Sequence, residues 1–299
     1  MTVETSKPWT QSWLYAAKGD RITQLWLFVL HSSAILGLFV IQAPSKMVIA
    51  IWIVSVALSM LGVSVSFHRC LAHKALTINP VVEQILIFFA VFGGAGKPTT
   101  WVANHMRHHR YSDKDGDISS PQHGGFWWSH LRWLWQAGQV DPNIYCPRIA
   151  NQRRYQIWDT LQMPVLTFSL FGGLYFGLDQ WVWLGPIRLL YILHAQASVN
   201  SFFHYGDKLP GARDHSRNMA SFAPIQFFVG ENWHGNHHKY PSSAKFGIKP
   251  MQIDLGWEFI RLLSATGLAG NLKIKTLQPE GVTSELTGNI NPAPAGKGP

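Results

Sequence analysis

Three histidines stand close together near the middle of the chain, at His105, His108 and His109. The spacing i, i+3, i+4 places their imidazoles within roughly 100° of arc on one face of a helix. The same spacing returns later in the chain, at His234, His237 and His238. A chain with 14 histidines in 299 residues would rarely produce this pattern twice by chance. Both triplets are therefore predicted to bind metal.

Two further segments end apolar runs with histidine. His68 and His73 lie five positions apart, a rotation of roughly 140° on an ideal helix, so they can share a metal only where the helix loosens at its end. His204 ends another run, and Asn200 lies one helical turn before it on the same face. The four segments supply nine imidazoles, whereas one metal ion takes about four to six ligands. The chain is therefore predicted to hold a dinuclear site.

Acidic residues close to these histidines are expected to orient the imidazoles by accepting a hydrogen bond from the second ring nitrogen. Six are near enough in sequence: Asp113, Asp115, Asp117, Asp207, Asp214 and Glu231. Which histidine each one serves is left open by the sequence. The remaining histidines are predicted to have structural, surface or supporting roles: His31, His123, His130, His194 and His215.

The ligand type does not indicate which metal binds, because imidazole suits iron, zinc, copper and nickel alike. The position of the histidines in the chain is more informative. The histidines stand at the ends of long apolar runs, where a lipid chain could reach them. Removing hydrogen from a plain methylene requires oxygen activated on a redox metal. Iron is therefore the favoured ion, with O2 as co-substrate.

The composition is typical of a protein embedded in a bilayer, with 14% charged residues and 14 tryptophans. Apolar runs of about the length that a bilayer requires predict four spans in two hairpins, the second turning at Asp179-Gln180. These spans are placed at about 25–41, 47–67, 160–178 and 181–203. The predicted fold is all-α, with a cytoplasmic helical cap that holds the histidine-rich site.

Segment 81–96 is apolar but is not predicted to cross the membrane. A crossing there would place His68 and His105 on opposite sides, so the segment is expected to be an in-plane or re-entrant helix. Lysine and arginine are concentrated in the segments that carry the histidines, and the positive-inside rule then puts the active site and both termini in the cytoplasm. The net charge of +9 is interpreted as this orientation signal, not as nucleic-acid binding.

The ends of the chain and its cysteines add little chemistry. Residues 1–24 lack the features of a cleaved signal peptide and are predicted to be a cytoplasmic segment. Residues 278–299 are rich in Pro and Gly and are predicted to be a disordered tail. Cys70 and Cys146 are too few for a disulfide framework, which favours a reducing compartment.

The four histidine segments, with their order and intervals, resemble the membrane fatty acyl desaturases of the Δ9 type, the stearoyl-CoA desaturase group with its bacterial and cyanobacterial relatives. The sequences that flank the histidines are similar too, including Trp101-Val-Ala-Asn-His105 and Gly230-Glu-Asn-Trp-His234. The resemblance covers roughly Ser64 to Gly270 and implies a desaturase domain over 25–277. It implies two irons held by His68, His73, His105, His108, His109, His204, His234, His237 and His238, with Asn200 acting through water. The division of these ligands between the irons is left open.

The resemblance also implies a reaction. Two electrons and O2 would be used to place a cis double bond, expected at Δ9, in a saturated acyl chain carried as a CoA thioester or a membrane lipid. Trp101 is a predicted wall of the acyl tunnel, and Trp52 and Val56 are predicted at its end. Neither a His-Pro-Gly-Gly haem motif nor a flavin fingerprint is found, so electrons are expected from a separate ferredoxin, or from a cytochrome b5 with its reductase.

Three other functions are weighed against this one. A membrane di-iron hydroxylase of lipids or hydrocarbons would use similar histidine segments at different intervals, and would insert oxygen instead of removing hydrogen. A zinc transporter would carry its histidines in the middle of its spans. A soluble ferritin-like desaturase would need two Glu-x-x-His motifs, whereas only Glu231-x-x-His234 is found.

Overall fold

The computed structural model describes residues 7–40 and 42–275. The predicted tail 278–299 and the first six residues of the predicted N-terminal segment lie outside this range. The described chain is mostly helical. Its α-helices are α1 (Arg21–Val40), α2 (Lys46–Leu61), α3 (Pro80–Phe92), α4 (Pro98–Tyr111), α5 (Pro121–Trp127), α6 (Trp133–Gln136), α7 (Pro142–Tyr145), α8 (Pro147–Ala150), α9 (Arg153–Phe171), α10 (Leu178–Val182), α11 (Arg188–Ser201), α12 (His234–Lys239) and α13 (Leu255–Ala265).

Tighter and wider turns extend several of these helices. Wide π-helical turns occur at Gly62–Ala72, Trp128–Arg132 and Trp183–Ile187. Short 3-10 turns occur at Pro8–Thr10, Gly172–Phe176, Phe202–His204 and Ala220–Phe222. One antiparallel pair, β1 (Thr77–Ile78) with β2 (Ala269–Gly270), ties the C-terminal part of the described chain to the segment that follows the first π turn.

Among the residues that the structure describes, two helices are long and apolar enough to cross a bilayer. They span Arg21–Phe39 and Lys46–Ala72, with mean hydropathies of 1.6 and 2.4. Ser45 caps the second helix, because its hydroxyl accepts the backbone N–H of Val48 at 3.3 Å. Apolar side chains such as Phe28 and Phe39 are exposed on the first helix, as expected of a surface that meets lipid. The helices predicted at 25–41 and 47–67 are therefore present, and the second is longer than predicted.

The second predicted hairpin differs from the expectation. α9 begins at Arg153, before the predicted start at 160, and ends at Phe171. The chain then turns at Gly177, whose φ of 114° is tolerated because glycine has no Cβ. The predicted turn at Asp179-Gln180 is wrong, because both residues lie inside α10. Among the described residues, neither limb combines the length and the apolarity of the first two helices.

The helix predicted at 81–96 is present as α3 but ends earlier, at Phe92. Asn79 caps it, and Pro80 occupies its first position, where a missing N–H costs nothing. It packs closely on the first π turn, since a Cβ on Gly62 would lie 2.5 Å from the carbonyl oxygen of Leu86. The opposite face is also apolar and exposed, with Val81 at 68%. An apolar outer face is what an in-plane helix needs.

The largest core lies between the first π turn, α3, α4, α9 and α13. Side chains with almost no exposed surface meet there, including Phe67, Ile87, Val102, Tyr155 and Ile260. This core holds two of the elements that carry histidine, the first π turn and α4, at fixed positions relative to each other. The active-site prediction depends on that rigidity.

Candidate metal centre

The first π turn brings His68 and His73 together. The backbone N–H of His73 donates to the carbonyl oxygen of His68 at 3.1 Å, which is the i→i+5 bond of a widened helix. The two ring centroids are 5.2 Å apart. The sequence prediction that the helix must loosen at this point is confirmed, and the widened turn replaces the 140° separation of an ordinary helix.

α12 is only six residues long, and a buried arginine fixes the loop that leads into it. Arg69 donates to Asp254 Oδ1 at 2.9 Å, to the carbonyl oxygen of Val229 at 2.7 Å and to that of Ala244 at 2.9 Å. Gly230 has a φ of 95°, and a Cβ there would fall 2.4 Å from Asp254 Oδ1. The short helix is thus held from outside by side-chain hydrogen bonds rather than by its own length.

All nine predicted histidines come together, in two groups. Within each group the potential ligand atoms lie within 4.8 Å of one another. The five-histidine group contains His68, His73, His105, His109 and His237, and the four-histidine group contains His108, His204, His234 and His238. Chain neighbours are divided between the groups, because successive helical positions point about 100° apart. The groups are adjacent, since the rings of His109 and His238 are 4.5 Å apart.

The ring nitrogens of different histidines lie so close together that a cation between them would stabilise the arrangement. In the four-histidine group, Nε2 of His108 is 3.3 Å from that of His238, and Nε2 of His204 is 2.9 Å from that of His234. His108, His204 and His238 each donate their Nδ1–H to a carboxylate, which leaves Nε2 as the atom of each ring that can offer a lone pair. Facing lone pairs repel unless a positive ion lies between them. The donor set therefore fits a metal ion.

The five-histidine group has the same character. Nε2 of His237 is 2.9 Å from that of His68 and 2.8 Å from that of His109. Nε2 of His73 is 2.8 Å from that of His105. Five imidazoles that converge at these distances match the ligand count of one metal ion.

Among the described residues, four carboxylates accept a hydrogen bond from Nδ1 of a histidine in one of the two groups. The pairs, with their N···O distances, are His68–Glu231 at 2.8 Å, His108–Asp117 at 2.9 Å, His204–Asp113 at 2.8 Å and His238–Asp214 at 2.8 Å. The expectation for Asp115 and Asp207 is wrong, because both are exposed and neither contacts a histidine among the described residues. The Asp113–Asp117 loop turns inward instead, with Asp113 at a φ of 60°.

Burial and charge set the protonation states. Burial and the neighbouring imidazoles hold the pKa values of His105, His109 and His237 well below the usual value, so these rings are neutral, the form that binds metal. Burial alone would raise the pKa of Asp113, but the hydrogen bond and charge of His204 hold it well below its usual range. Burial lowers the pKa of His108, but the Asp117 carboxylate outweighs this effect and raises it.

The other predicted site residues fall in three places. Asn200 lies near the end of α11, half-buried, and its side chain makes no hydrogen bond to the described residues. Trp101 stacks on His105 with ring centroids 4.9 Å apart, which places it beside the five-histidine group. Trp52 and Val56 lie in a separate apolar cluster between α2 and α11, and the ring of Trp52 is 5.0 Å from that of Tyr191.

The sequence prediction missed several supporting residues. Ser64 Oγ donates to Glu231 at 2.6 Å, and Ser120 Oγ donates to Asp113 at 2.6 Å. Arg69 was missed as the anchor of the α12 loop. A hydroxyl inside an otherwise apolar span was an available signal for Ser64, because a buried polar group needs a partner. No comparable signal marks Arg69, since basic residues are common beside the histidines.

These features of the described residues are those of a helical protein that has two apolar helices of membrane-spanning length and a histidine-rich site that could hold two metal ions. Residues 44–247 match the model of the fatty acid desaturase family. The chain belongs to this family, in its Δ9 desaturase-like group, and is an oxidoreductase that acts as a fatty acid desaturase.

Three relatives illustrate the match. A Delta-9 acyl-lipid desaturase 1 from Arabidopsis thaliana is 36% identical over 72% of this chain and 71% of its own length. An sn-1 stearoyl-lipid 9-desaturase from Synechocystis sp. is 32% identical over 72% and 68%. A hex-5-enoyl-[acyl-carrier protein] acetylenase from Moorena producens is 34% identical over 74% and 75%.

Proposed function

We propose that this protein is an oxygen-dependent di-iron desaturase that introduces a cis double bond, at Δ9, into a saturated fatty acyl chain. The observation that carries the proposal is the convergence of nine imidazoles into two groups of five and four beside the ends of apolar helices. Two such groups match two metal ions, and a removal of hydrogen from methylene carbons is the chemistry for which a dinuclear iron site is suited.

The ligands divide between the two ions in this proposal. The five-histidine group holds one iron, and the four-histidine group holds the other. Asn200, one helical turn before His204 and free of other hydrogen bonds to the described residues, adds a ligand to the second iron through water. When bound, the irons would activate oxygen with electrons that a separate carrier delivers. The chain itself fixes the imidazoles, through the four buried carboxylates, and excludes bulk water by burying the four-histidine group.

The acyl chain is proposed to pass Trp101 on its way to the metals and to end near Trp52 and Val56. Trp101 is in contact with both the metal ligands and the core, since its ring lies 5.8 Å from those of His68 and Phe67. The names of two relatives specify acyl lipids and one specifies an acyl-carrier protein. For this chain we propose a membrane lipid or a CoA thioester as the carrier.

The membrane arrangement is proposed to have four crossings, with α3 in the plane and the metal centre and both termini in the cytoplasm. The desaturase domain is proposed to cover 25–277. Exposed apolar residues support the placement of the second hairpin, with Phe168 at 65% and Phe176 at 67%. The continuous helical segment 178–204 is long enough to cross, and Trp181, Trp183 and Arg188 lower its mean hydropathy.

Electrons are proposed to come from a separate acidic carrier, a ferredoxin or a cytochrome b5 with its reductase. The face around the metal centre is basic and exposed, including Arg110, Lys114 and Lys239. Complementary charge would steer an acidic partner to this face.

The deciding experiment is expression in a desaturase-deficient host, with gas chromatography and mass spectrometry of its fatty acids. The expected result is a new cis-monounsaturated acid with its double bond at Δ9, absent from cells that carry His105→Ala. A hydroxylated acid instead would assign the protein as a hydroxylase. A double bond at another carbon would keep the reaction and correct the position.

A further inference from the structure

The carboxylates are shared unequally between the two histidine groups. In the four-histidine group three of the four rings donate Nδ1–H to a carboxylate, from Asp113, Asp117 and Asp214. In the five-histidine group only one ring does so among the described residues, that of His68 to Glu231. The two metal positions therefore have different surroundings although their ligand type is the same.

The three aspartates are well held as buried anions. Their side chains are between 0% and 3% exposed. Each has a further donor: Asp113 accepts from Ser120 Oγ at 2.6 Å, Asp117 from the backbone N–H of Ser119 at 3.1 Å, and Asp214 from that of Ser216 at 3.1 Å. Charges in such surroundings act more strongly on a nearby ion than charges in water do.

The charge count at the two positions differs in sign. Four carboxylates balance the four positive charges of two Fe2+ ions, but they are divided three to one. With Fe2+ bound, the four-histidine position has a net charge of about −1 and the five-histidine position about +1, counting only these pairs. The guanidinium of Arg69, near Glu231, is paired with Asp254 at 2.9 Å and does not change this comparison.

The hydrogen bonds act in the same direction as the charges. A carboxylate that accepts the Nδ1–H of a ligand imidazole raises the basicity of that ring. Stronger donors and extra negative charge both favour the ion of higher charge. His234 and His237, by contrast, have Nδ1 atoms that are buried with no partner in the described part of the chain.

We propose that Asp113, Asp117 and Asp214 are positioning residues that make the four-histidine position the first to hold Fe3+ when one electron is removed from the loaded enzyme. The five-histidine position then retains Fe2+. This inference rests on the proposed function, because it requires an iron in each group. In the test below the electron passes to ferricyanide, which becomes ferrocyanide.

The first experiment uses the full-length wild-type protein, loaded with 57Fe and kept anaerobic. Ferricyanide is added in half-equivalent steps, and Mössbauer spectra are recorded at each step. One ferrous doublet is expected to convert before the other, with a preference of at least about tenfold, which equals about 59 mV for a one-electron couple. Parallel conversion of both doublets would overturn the inference without any variant.

The second experiment assigns the first couple to the aspartates. Asp214→Asn is expected to raise the reduction potential of the first couple by about 59 mV. For a one-electron couple this equals a tenfold change in the oxidised-to-reduced ratio at a given potential. Asp214→Glu, which keeps the negative charge, is expected to have a first-couple potential close to that of the wild type. Glu231→Gln is the matched control, and it is expected to shift only the second couple. A first couple that responds to Glu231→Gln and not to Asp214→Asn would contradict the assignment.

Loss of iron from a variant is also informative. If Asp214→Asn retains one iron, that iron is expected to titrate at the second couple of the wild type, and titration at the first couple would overturn the inference. A wild-type protein that binds no more than one iron would overturn the proposed function together with this inference. Two bound irons that oxidise in parallel would overturn this inference alone.

Discussion

At the scale of single residues, the ligand types and spacings were enough to predict which imidazoles come together, and all nine do. The division into five and four was not predictable, because it depends on how the helices turn toward one another. The carboxylates show the same limit. Asp115 lies between Asp113 and Asp117 in the sequence, but the loop turns only Asp113 and Asp117 inward, where the backbone N–H of Asp113 donates to Asp117 at 2.9 Å.

His237→Ala is expected to abolish the unsaturated product and to lower the iron content below two per chain, while the protein still inserts into membranes. Nε2 of His237 lies within 2.9 Å of those of His68 and His109, so the five-histidine group loses a central ligand. Replacing a residue that only orients a ligand costs about 10- to 100-fold in metal affinity or activity. Removing a ligand itself should therefore lower the activity by more than about 100-fold. Iron analysis and fatty acid profiles measure both effects.

His123→Ala is the control for this prediction. His123 donates from Nε2 to the carbonyl oxygen of Lys114 at 2.9 Å and stacks on Trp9, and it belongs to neither group. Its replacement is expected to leave iron and product unchanged. Wild-type iron content and activity in His237→Ala would remove the metal assignment.

Cys146 is expected to resist alkylation in the folded protein. Burial raises the pKa of its thiol to about 11, so roughly one molecule in a thousand carries the reactive thiolate at pH 8. Peptide mapping after maleimide treatment should show this cysteine unmodified at pH 8 and labelled once detergent denatures the chain. Rapid labelling of the native protein would show that the segment around Cys146 opens.

At the scale of elements, the apolar runs predicted the first hairpin and α3, and the spacing of His68 and His73 predicted a widened turn between them. The second hairpin was placed less accurately. α9 begins at Arg153, where charged residues are compatible with a helix end outside the membrane. The prediction followed the apolar run, which these charged residues do not continue, and so it placed the start too late. The turn moved to Gly177 because positive φ selects glycine over the polar pair Asp179-Gln180.

Gly62→Ala is expected to destabilise the contact between the first π turn and α3. The new Cβ would lie 2.5 Å from the carbonyl oxygen of Leu86 and 2.7 Å from the backbone nitrogen of Ala90, and backbone atoms cannot move aside easily. Overpacking of this kind costs about 1–3 kcal/mol, so the Tm in detergent should fall by several degrees. Gly270→Ala is the control, because its Cβ would make an ordinary contact at 3.7 Å. Equal Tm values for the two variants would contradict the packing argument.

The Trp52 and Val56 positions are expected to set acyl chain length. Val56→Phe should shift the products toward shorter chains, and Trp52→Ala should shift them toward longer ones. The ratio of long to short products should change by about fourfold per methylene, since burying one methylene contributes about 0.8 kcal/mol. Fatty acid profiles of expressing cells give the ratio. Val54→Phe on the same helix is the matched control, because Val54 is 56% exposed whereas Val56 is 0% exposed. An unchanged profile in both test variants would place the tunnel end elsewhere.

At the scale of the whole molecule, the sequence predicted orientation from charge, and the fold supplies surfaces on which it can be tested. The turn after α1, the turn after α9 and the loop before α13 are all exposed, at Gln42, Tyr175 and Lys249. The proposed topology places the first two outside and the third inside. Neither native cysteine interferes, because both are buried.

Cysteine substitutions at these positions test the four crossings. In sealed right-side-out vesicles, an impermeant maleimide should label Gln42→Cys and Tyr175→Cys, and should label Lys249→Cys only after permeabilisation. The wild-type protein is the control for background labelling. Labelling of Tyr175→Cys only from the inner side would show that the second hairpin does not cross.

The assignment of consecutive residues to different groups has a mechanical consequence. His108 and His109 share a peptide bond, as do His237 and His238, yet each pair serves both groups. Any shift of α4 or α12 would therefore move histidines of both groups together and leave the spacing between these histidines nearly constant. A docking partner or a bulky substrate that displaced one of these helices would therefore move residues of both groups as one body, because covalent geometry sets the spacing of the paired histidines.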